Sequence, residues 1–155
     1  MTTPPLSVLF LCTGNSARSQ MAEALLKHLA DGRAVVESAG TVPQPEIHPM
    51  ARHAIKALLN LTMEGQYPKT LDRFLGQHFD YVITVCDRAA EACPVFPGEP
   101  ERIHWSFEDP AVAPGSSEDR QRAFDTTAKQ LLSRLRLWLS LPAVQARLQP
   151  KTTVS

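Results

Sequence analysis

Residues 7–19 read SVLFLCTGNSARS and join three patterns: an apolar run, a polar loop and the start of an amphipathic segment. The run Ser7–Leu11 has the composition and length of a buried strand. After the loop, apolar residues recur at helical spacing, which predicts a helix over about 16–30, stopped by Asp31-Gly32. A strand, a tight loop and a helix in this order predict the first unit of an α/β fold.

The rest of the chain alternates predicted strands and helices. Strands are predicted at Ala34–Ser38, Tyr81–Val85 and Glu101–Trp105. Helices are predicted at Pro49–Leu59, at Lys69–Gly76, for one turn after Asp87 before the breaks at Pro94 and Pro97, and from Ser117. Alternation of this kind is typical of an α/β fold with a parallel sheet and right-handed crossovers. Such sheets bind ligands at the carboxyl ends of their strands, where we therefore expect a functional site.

Composition limits the classes of protein to which the chain can belong. It has 155 residues, of which 43% are hydrophobic and 21% charged, as in a globular domain. Sixteen basic residues balance sixteen acidic ones, which argues against nucleic acid as a partner. The apolar run Leu6–Cys12 is shorter than the ~20 residues of a membrane span, so we expect no membrane association and a cytoplasmic location. We expect one domain over residues 1–155, with its core at about 6–140 and a weakly patterned, partly disordered tail at 142–155.

Three cysteines, Cys12, Cys86 and Cys93, are the informative thiols of the chain. An odd number in a cytoplasmic protein does not suggest a structural disulfide framework. Cys12 and Cys86 each follow a predicted strand, at the sheet edge where a ligand is expected. The simpler interpretation, three inert buried thiols, stays open at this point.

The loop after the first strand has the features of an oxyanion site. Gly14 and Asn15 tolerate left-handed backbone conformations, so the loop can turn its N–H groups inward. The following helix adds a partial positive charge, and Arg18 supplies two parallel donors for a tetrahedral anion. We expect the helix terminus and Arg18 to lower the pKa of Cys12, and Ser19 to hydrogen-bond the resulting thiolate nucleophile. The candidate anion-binding residues are Thr13, Gly14, Asn15, Ser16, Ala17 and Arg18.

Other kinds of site find little support in the sequence. The loop lacks the Gly-Lys-Ser/Thr ending of ATP- and GTP-binding loops. The spacing of Cys86 and Cys93 does not match a zinc site, and the scattered histidines are assigned to surface or packing roles. Arg134, Arg136 and Arg147 are expected to be solvated. For the loop itself, a helix N-terminus that carries a buried cysteine and a surface arginine is the alternative.

The sequence CTGNSARS at Cys12–Ser19, followed by QMAEA, resembles the low-molecular-weight tyrosine phosphatase superfamily and, more narrowly, its thioredoxin-coupled arsenate reductases. The similarity continues in SAG at Ser38–Gly40, in VITVCDRAAEACP at Val82–Pro94 and in HWSFEDPA at His104–Ala111. This resemblance implies a three-layer flavodoxin-like fold with a four-stranded parallel sheet in the order 2-1-3-4. It also implies a monomer that requires no cofactor.

For an arsenate reductase, the resemblance implies arsenate as the substrate, phosphate or sulfate as analogues, and thioredoxin as the partner. The Cys12 thiolate would attack arsenate while Asp109 protonates the departing oxygen. Cys86 would then attack Cys12, releasing arsenite and forming a disulfide. Cys93 would attack Cys86, and thioredoxin would reduce the Cys86–Cys93 disulfide. In a regular helix these two cysteines would be ~10.5 Å apart, so we expect the segment between them to unwind on oxidation.

Two alternatives to the reductase are kept. A low-molecular-weight protein tyrosine phosphatase would use the same nucleophile, loop and acid but would need neither Cys86 nor Cys93. Such phosphatases commonly carry aromatic residues after their Asp-Pro pair, whereas Ala111–Ala113 follow it here. The second alternative is a non-enzymatic redox- or anion-sensing module that docks a partner. For Asp109 itself, a turn-capping role and the neighbouring Glu108 as the acid remain alternatives.

Some arsenate reductases of this type bind potassium behind the anion loop. By resemblance, Asn15, Glu23 and Ser38 occupy positions that serve that site. The fourth position, an aspartate in those members, falls near Lys69, and a lysine would replace the cation with its own charge. Potassium is therefore kept as a candidate cofactor that is not required, and no other metal is expected.

Overall fold

Strands and helices alternate along the chain in the computed structural model, which describes residues 4–86 and 96–148. The strands are β1 Leu6–Cys12, β2 Ala34–Gly40, β3 Tyr81–Thr84 and β4 Glu101–His104. The α-helices are α1 Arg18–Ala30, α2 Pro49–Leu59, α3 Ser117–Leu139 and α4 Pro142–Arg147. Two 3₁₀ turns lie at Leu71–Phe74 and Pro110–Val112. The predicted alternation is confirmed.

The four strands form one parallel sheet in the order β2-β1-β3-β4, which confirms the predicted topology. β1 is paired on both sides, and all but one of its seven residues are buried, as expected for a parallel sheet that is covered on both faces. Its last residue, Cys12, lies opposite Gly40 of β2, and Leu11 lies opposite Thr84 of β3. The carboxyl ends of three strands therefore meet beside the loop that follows Cys12.

Helix α3 packs against both α1 and α2 and carries a buried tryptophan to the sheet. The Trp138 ring lies edge-on to Tyr81 of β3 at 5.1 Å between centroids and edge-on to Trp105 at 6.4 Å. Aromatic pairs in this arrangement attract one another. Trp138 therefore lies on the buried face of the helix, and the contact holds Trp105, after which the loop that carries Asp109 begins. Although α3 has 23 residues, no helix in residues 4–86 and 96–148 is long and apolar enough to cross a membrane.

Helix boundaries differ from the prediction in two places. α1 begins at Arg18 and not near residue 16, because Asn15 has a left-handed backbone (φ 48°) and Ala17 lies outside the helical conformation. The predicted third helix contracts to the 3₁₀ turn Leu71–Phe74, whose backbone bonds span three residues instead of four. The turn predicted after β3 falls mostly on residues 87–95, which lie outside the described residues.

Strand boundaries differ by one or two residues. β2 continues to Gly40 and does not end at Ser38, because Gly40 pairs with Cys12 and donates its N–H to the Lys69 carbonyl at 2.8 Å. β3 and β4 each end one residue earlier than predicted. None of these changes moves the loop after β1 away from the predicted sheet edge.

Part of the stretch after α3 is helical, where the sequence shows only a weak pattern. Pro142–Arg147 forms helix α4, in which Val144 is buried. Arg147 is not solvated as expected, because its guanidinium donates to both Asp80 carboxylate oxygens, at 2.7 and 3.2 Å. Burial opposes ionisation of Asp80, but the hydrogen bonds from Arg147 and Ser7 outweigh it and hold the pKa of Asp80 below its usual value. An ion pair therefore ties this end of the chain to the amino end of β3.

Candidate active site

The loop between β1 and α1, residues 13–17, is held by the backbone of residues 41–49, here called the wall segment. Four N–H groups of the wall segment donate to four consecutive or nearly consecutive carbonyls. The bonds run from Thr41 to Cys12 (3.3 Å), from Val42 to Thr13 (2.9 Å), from Gln44 to Gly14 (2.9 Å) and from His48 to Ser16 (2.8 Å). The N–H groups of residues 14–17 have no acceptor in the described chain. A loop with its carbonyls engaged and its N–H groups unused is the nest that the sequence predicts.

Gly40 lies so close to this loop that no side chain fits at its position. A Cβ at position 40 would lie 2.6 Å from the Thr13 carbonyl oxygen and 2.9 Å from the Asn15 Cβ. Real Cβ atoms essentially never show contacts under 3.0 Å. Glycine therefore lets the end of β2 press directly against the anion loop.

Asn15 adopts its left-handed backbone within a complete set of side-chain hydrogen bonds. Its Nδ2 donates to Ser19 Oγ (2.8 Å) and to Ser38 Oγ (3.0 Å). Its Oδ1 accepts from the Lys69 N–H (2.9 Å) and from Gln20 Nε2 (3.1 Å). An asparagine amide can make four such bonds, and Asn15 makes all of them while fully buried. The network fixes the loop from behind.

The anion loop forms the floor of a cavity of about 630 Å³. Residues 12–18 line one side of it, the wall segment lines another, and Asp109 and Ala111 complete it. The predicted nucleophile, the whole predicted anion loop and the predicted acid therefore face one cavity. Glu108, the alternative acid, does not line it.

Arg18 lines this cavity, and one of its guanidinium nitrogens is buried without a hydrogen-bond partner among the described residues. Its Nη1 donates to the Phe107 carbonyl at 2.9 Å, and its Nη2 lies 3.7 Å from Asp109 Oδ2. The Nε is buried and has no partner among the described residues. A buried N–H without an acceptor costs ~1–3 kcal/mol, which a bound oxyanion would recover. The predicted role of Arg18 as an anion fork fits this geometry.

Asp109 combines two of the roles considered for it. Its Oδ1 accepts from the Ala111 N–H at 3.0 Å and so caps the 3₁₀ turn. Its other oxygen, Oδ2, is the one that faces Arg18, and the side chain is 38% exposed. A turn cap and a carboxylate at the cavity are thus compatible, because each uses a different oxygen.

Two thiols are in contact beside the cavity, which Cys12 lines and Cys86 does not. Cys12 and Cys86 are both buried, and their side chains are in hydrogen-bonding contact. The Thr13 hydroxyl lies 3.4 Å from the Cys86 sulfur. Adjacent strands β1 and β3 bring these residues together, since the Val85 N–H donates to the Leu11 carbonyl just before both cysteines. Cys93 lies outside the described residues.

The pKa of Cys12 differs from the prediction. The hydrogen bond with Cys86 and burial raise the pKa of the Cys12 thiol, and they outweigh the Arg18 charge and the Thr13 N–H, which lower it. The expectation of a lowered pKa was wrong because it counted only groups near Cys12 in the sequence. In this arrangement Cys12 is a protonated thiol that shares a hydrogen bond with its neighbour.

Ser19 does not contact Cys12 as predicted. Its buried Oγ accepts from the Asn15 amide, so its role is to hold the loop. For His48, the sequence analysis expected only a surface or packing role. His48 Nδ1 caps α2 by accepting from the Met50 N–H (3.1 Å), its ring packs on Phe124 (4.5 Å between centroids), and it lines the cavity. The signal that could have located it is the proline at the next position, which is typical of a helix start.

A charged group lies behind the Asn15 network. Glu23 is buried, and its Oε1 accepts from Ser38 Oγ at 2.6 Å. Lys27 Nζ binds Glu23 Oε2, and Lys69 Nζ lies 3.7 Å from Glu23 Oε1. The residues proposed for potassium thus lie together, with two ammonium groups among them. Residues 4–86 and 96–148 contain no cluster of three or more His, Cys, Asp or Glu side chains suited to a metal ion.

Several known proteins are similar to this chain in sequence and in fold. The chain is 38% identical over 131 residues to an arsenate reductase from Halalkalibacterium halodurans, an alignment that covers 83% of this chain and 91% of that protein. A thioredoxin-dependent arsenate reductase structure from Corynebacterium glutamicum superposes with a TM-score of 0.63 at 31% identity, over 89% of this chain and 65% of that one. The structure of an arsenate reductase in a phosphate-binding state gives 0.69 at 26% identity, over 87% and 97%.

A family model describes the same relationship more broadly. It matches residues 7–150, which include the anion loop, both described cysteines and Asp109. The match therefore spans nearly the whole chain and every element that builds the cavity. From the match and the shared architecture, the chain belongs to the low molecular weight phosphotyrosine protein phosphatase family.

Proposed function

We propose that the protein reduces arsenate to arsenite, with thioredoxin as the source of electrons. The observation that carries this proposal is the contact of the buried Cys12 thiol, which lines the cavity beside the anion loop, with a second buried thiol, that of Cys86. Ester hydrolysis needs one nucleophilic thiol, whereas reduction needs a second one within reach of the first. The similar arsenate reductases support this activity, and the thioredoxin-dependent relative supports thioredoxin as the reductant.

In the first step, arsenate binds to the N–H groups of the loop and to the Arg18 guanidinium. The Cys12 proton passes to an oxygen of the bound arsenate, a transfer that the positive charge of Arg18 favours against the effects of Cys86 and burial. The Cys12 sulfur attacks arsenic, so that an arsenic–sulfur bond forms and an arsenic–oxygen bond breaks. Asp109 supplies a proton to the departing oxygen, which leaves as water.

In the second step, the Cys86 thiol gives its proton to an oxygen of the arsenic adduct, and its sulfur attacks the Cys12 sulfur. A sulfur–sulfur bond forms and the sulfur–arsenic bond breaks, leaving its electron pair on arsenic. Arsenic(V) becomes arsenic(III) and leaves as arsenite, while the two thiols become a disulfide. The Thr13 hydroxyl, 3.4 Å from the Cys86 sulfur, is positioned to donate to the attacking thiolate.

Regeneration requires a third thiol that can be reached from outside. Cys12 and Cys86 are only 4% and 6% exposed, which disfavours direct attack on their disulfide by another protein. Cys93 would attack Cys86, release Cys12, and present the Cys86–Cys93 disulfide to thioredoxin. This part of the proposal rests on the resemblance described above.

Hydrolysis of phosphate monoesters is the second candidate, favoured by the size of the cavity. At about 630 Å³ it falls in the range of ~300–1,000 Å³ that organic ligands occupy, and it exceeds what one tetrahedral anion fills. However, no Phe, Tyr or Trp ring lines it in the described chain. An aromatic ester group would therefore meet only the imidazole of His48, which already packs on Phe124, and we rank this activity below reduction.

The deciding experiment couples arsenate to NADPH consumption through thioredoxin and thioredoxin reductase. We expect arsenate-dependent turnover for the wild type and none for Cys12→Ser or Cys86→Ser. Cys93→Ser should lose turnover but retain hydrolysis of a small phosphate ester, which uses Cys12 alone. The same ester assay with Cys86→Ser is the matched control that the anion site is intact.

The outcomes separate the candidate functions. NADPH consumption that does not depend on arsenate would refute the reductase. Ester hydrolysis that is lost only in Cys12→Ser, without any arsenate turnover, would favour the phosphatase. If the wild type shows neither activity, and the Cys12→Ser protein still switches between redox states, a sensing module would be favoured.

A further inference from the structure

Most of the buried polar side chains in this protein belong to one layer behind the anion loop. Eight polar or charged residues are buried in the described part of the chain, and six of them lie in this layer. They are Asn15, Ser19, Gln20, Glu23, Ser38 and Lys69. Glu23 and Lys69 are the buried acid and the buried base among them. Neither touches the cavity, so the proposed mechanism leaves them without a role.

The oxygen atoms of this layer do not fit a potassium ion. Hard cations need several oxygen lone pairs directed at one point. Asn15 Oδ1 is used by two N–H donors, and its amide nitrogen, not its oxygen, faces Ser38. Ser38 in turn donates to Glu23, beside which the Lys69 ammonium already lies at 3.7 Å. A metal cation would have to displace a fixed positive charge and reverse these hydrogen bonds.

We propose that Lys69 is a positioning residue whose ammonium replaces an exchangeable cation as the charge that compensates Glu23 and thereby holds the anion loop. The connection is short: Lys69 lies next to Glu23, which accepts from Ser38, which accepts from the amide of Asn15. Asn15 is the left-handed residue of the loop. The charge state of this layer therefore bears on the residue that shapes the oxyanion site.

Lys69, and not Lys27, supplies the effective charge. Both lysines bind Glu23, but the Lys69 side chain is 6% exposed and that of Lys27 is 47% exposed. Water and salt screen an exposed pair, whereas loss of one partner from a buried pair leaves an uncompensated charge. Lys69 is also held in place by its Nζ bond to the Tyr67 carbonyl at 3.1 Å.

Substitution of Lys69 removes its side-chain charge and leaves its main-chain hydrogen bonds in place. The Lys69 N–H that binds Asn15 and the carbonyl that accepts from Gly40 are main-chain groups, which remain after substitution. Lys69→Ala removes the ammonium and leaves space beside Glu23 for a small cation. The inference rests on the oxyanion-binding role of the loop in the proposed function but not on arsenate reduction.

The test measures binding of inorganic phosphate by calorimetry to the full-length wild type and variants. We expect Lys69→Ala to bind phosphate about tenfold more weakly, equivalent to ~1.4 kcal/mol. Potassium or ammonium chloride should restore most of this affinity, whereas tetramethylammonium chloride at equal ionic strength should not, because that ion is too large. Wild-type affinity should be the same in sodium and potassium salts. Lys27→Ala is the matched control and should lose less than about twofold.

A double variant guards against simple misfolding. Replacing both charges, in Glu23→Gln/Lys69→Met, should bind phosphate more tightly than Lys69→Met alone, since the double variant no longer has a buried carboxylate that only the exposed Lys27 compensates. If Lys69→Ala does not fold, this comparison decides. Equal phosphate affinity of Lys69→Ala and wild type, a loss that neither small cations nor the double variant restore, or stimulation of the wild type by potassium would each overturn the inference.

The two proposals can fail separately. A wild type that binds phosphate but does not consume NADPH with arsenate would refute the reductase and leave the role of Lys69 intact. A wild type that reduces arsenate while Lys69→Ala binds phosphate normally would do the reverse. A wild type that binds no phosphate would overturn both.

Discussion

Replacing Gly40 by alanine should damage the anion loop more than its small size suggests. The new Cβ would lie 2.6 Å from the Thr13 carbonyl oxygen, 2.9 Å from the Asn15 Cβ and 3.1 Å from the Asn15 nitrogen. Ordinary contacts for a Cβ begin at 3.4 Å, so the loop and β2 must separate by up to about 0.8 Å. All three atoms belong to backbone or to a buried, fully bonded side chain, so none can swing aside.

Two measurements report on this shift. Overpacking of a rigid site should lower the free energy of unfolding by ~1–3 kcal/mol, measured in urea. Misplacing the loop by a few tenths of an ångström should also lower phosphate affinity and arsenate turnover, by about 10- to 100-fold for turnover. The second effect should exceed what partial unfolding explains, because the displaced residues, Thr13 and Asn15, belong to the loop whose N–H groups would hold the anion.

Gly76→Ala is the matched control for this prediction. A Cβ at Gly76 meets nothing within 4 Å, so the same substitution should leave stability and phosphate affinity close to wild type. If Gly40→Ala behaved like Gly76→Ala in both measurements, the close approach of β2 would not constrain the loop. The explanation of the glycine in the SAG motif would then be wrong.

Three further predictions concern the thiols, the acid and the end of the chain. Cys86→Ala should lower the pKa of Cys12, so iodoacetamide should alkylate Cys12 faster near neutral pH; an unchanged pH–rate profile would contradict the hydrogen bond between them. Asp109→Asn should keep phosphate affinity and the turn cap but reduce arsenate turnover by about 100-fold or more, and full turnover would exclude it as the acid. Arg147→Met should lower the free energy of unfolding by about 1–2 kcal/mol, allowing for the partial exposure of Arg147. Because the pKa of Asp80 is lower in the folded protein, its contribution is present above about pH 4 and is lost as pH falls, so the difference between wild type and variant should shrink in acid; a constant difference would refute the assignment.

The fold could be predicted because its signals are local. α2 matches the predicted bounds Pro49–Leu59, since a proline begins it and Asn60, in a left-handed conformation, ends it. The sheet order followed from the resemblance carried by the anion loop. By contrast, α4 is six residues long, too short for a periodic pattern, and its stability depends on Val144 and on an ion pair that joins Arg147 to Asp80, 67 residues away.

The sequence predicts which residues form the candidate site but not the pKa of its nucleophile. Motifs in the sequence identify Cys12, Arg18 and Asp109 as site residues, and all three line the cavity. The raised pKa of Cys12 depends on Cys86, which only the pairing of β1 with β3 brings close. Likewise, the wall segment holds the loop through main-chain bonds, which leave no mark in the identity of the side chains.

Because the hydrogen bonds from the wall segment to the loop come from main-chain N–H groups, the side chains at the cavity edge can change while those bonds remain. The side chains of Val42, Pro45 and Glu46 are exposed at the cavity edge and take no part in those bonds. Substitutions at these positions should therefore leave the anion loop in place. Variants that accept a bulkier or more cationic ester should therefore be sought at these exposed side chains, with Cys12–Ser19 unchanged.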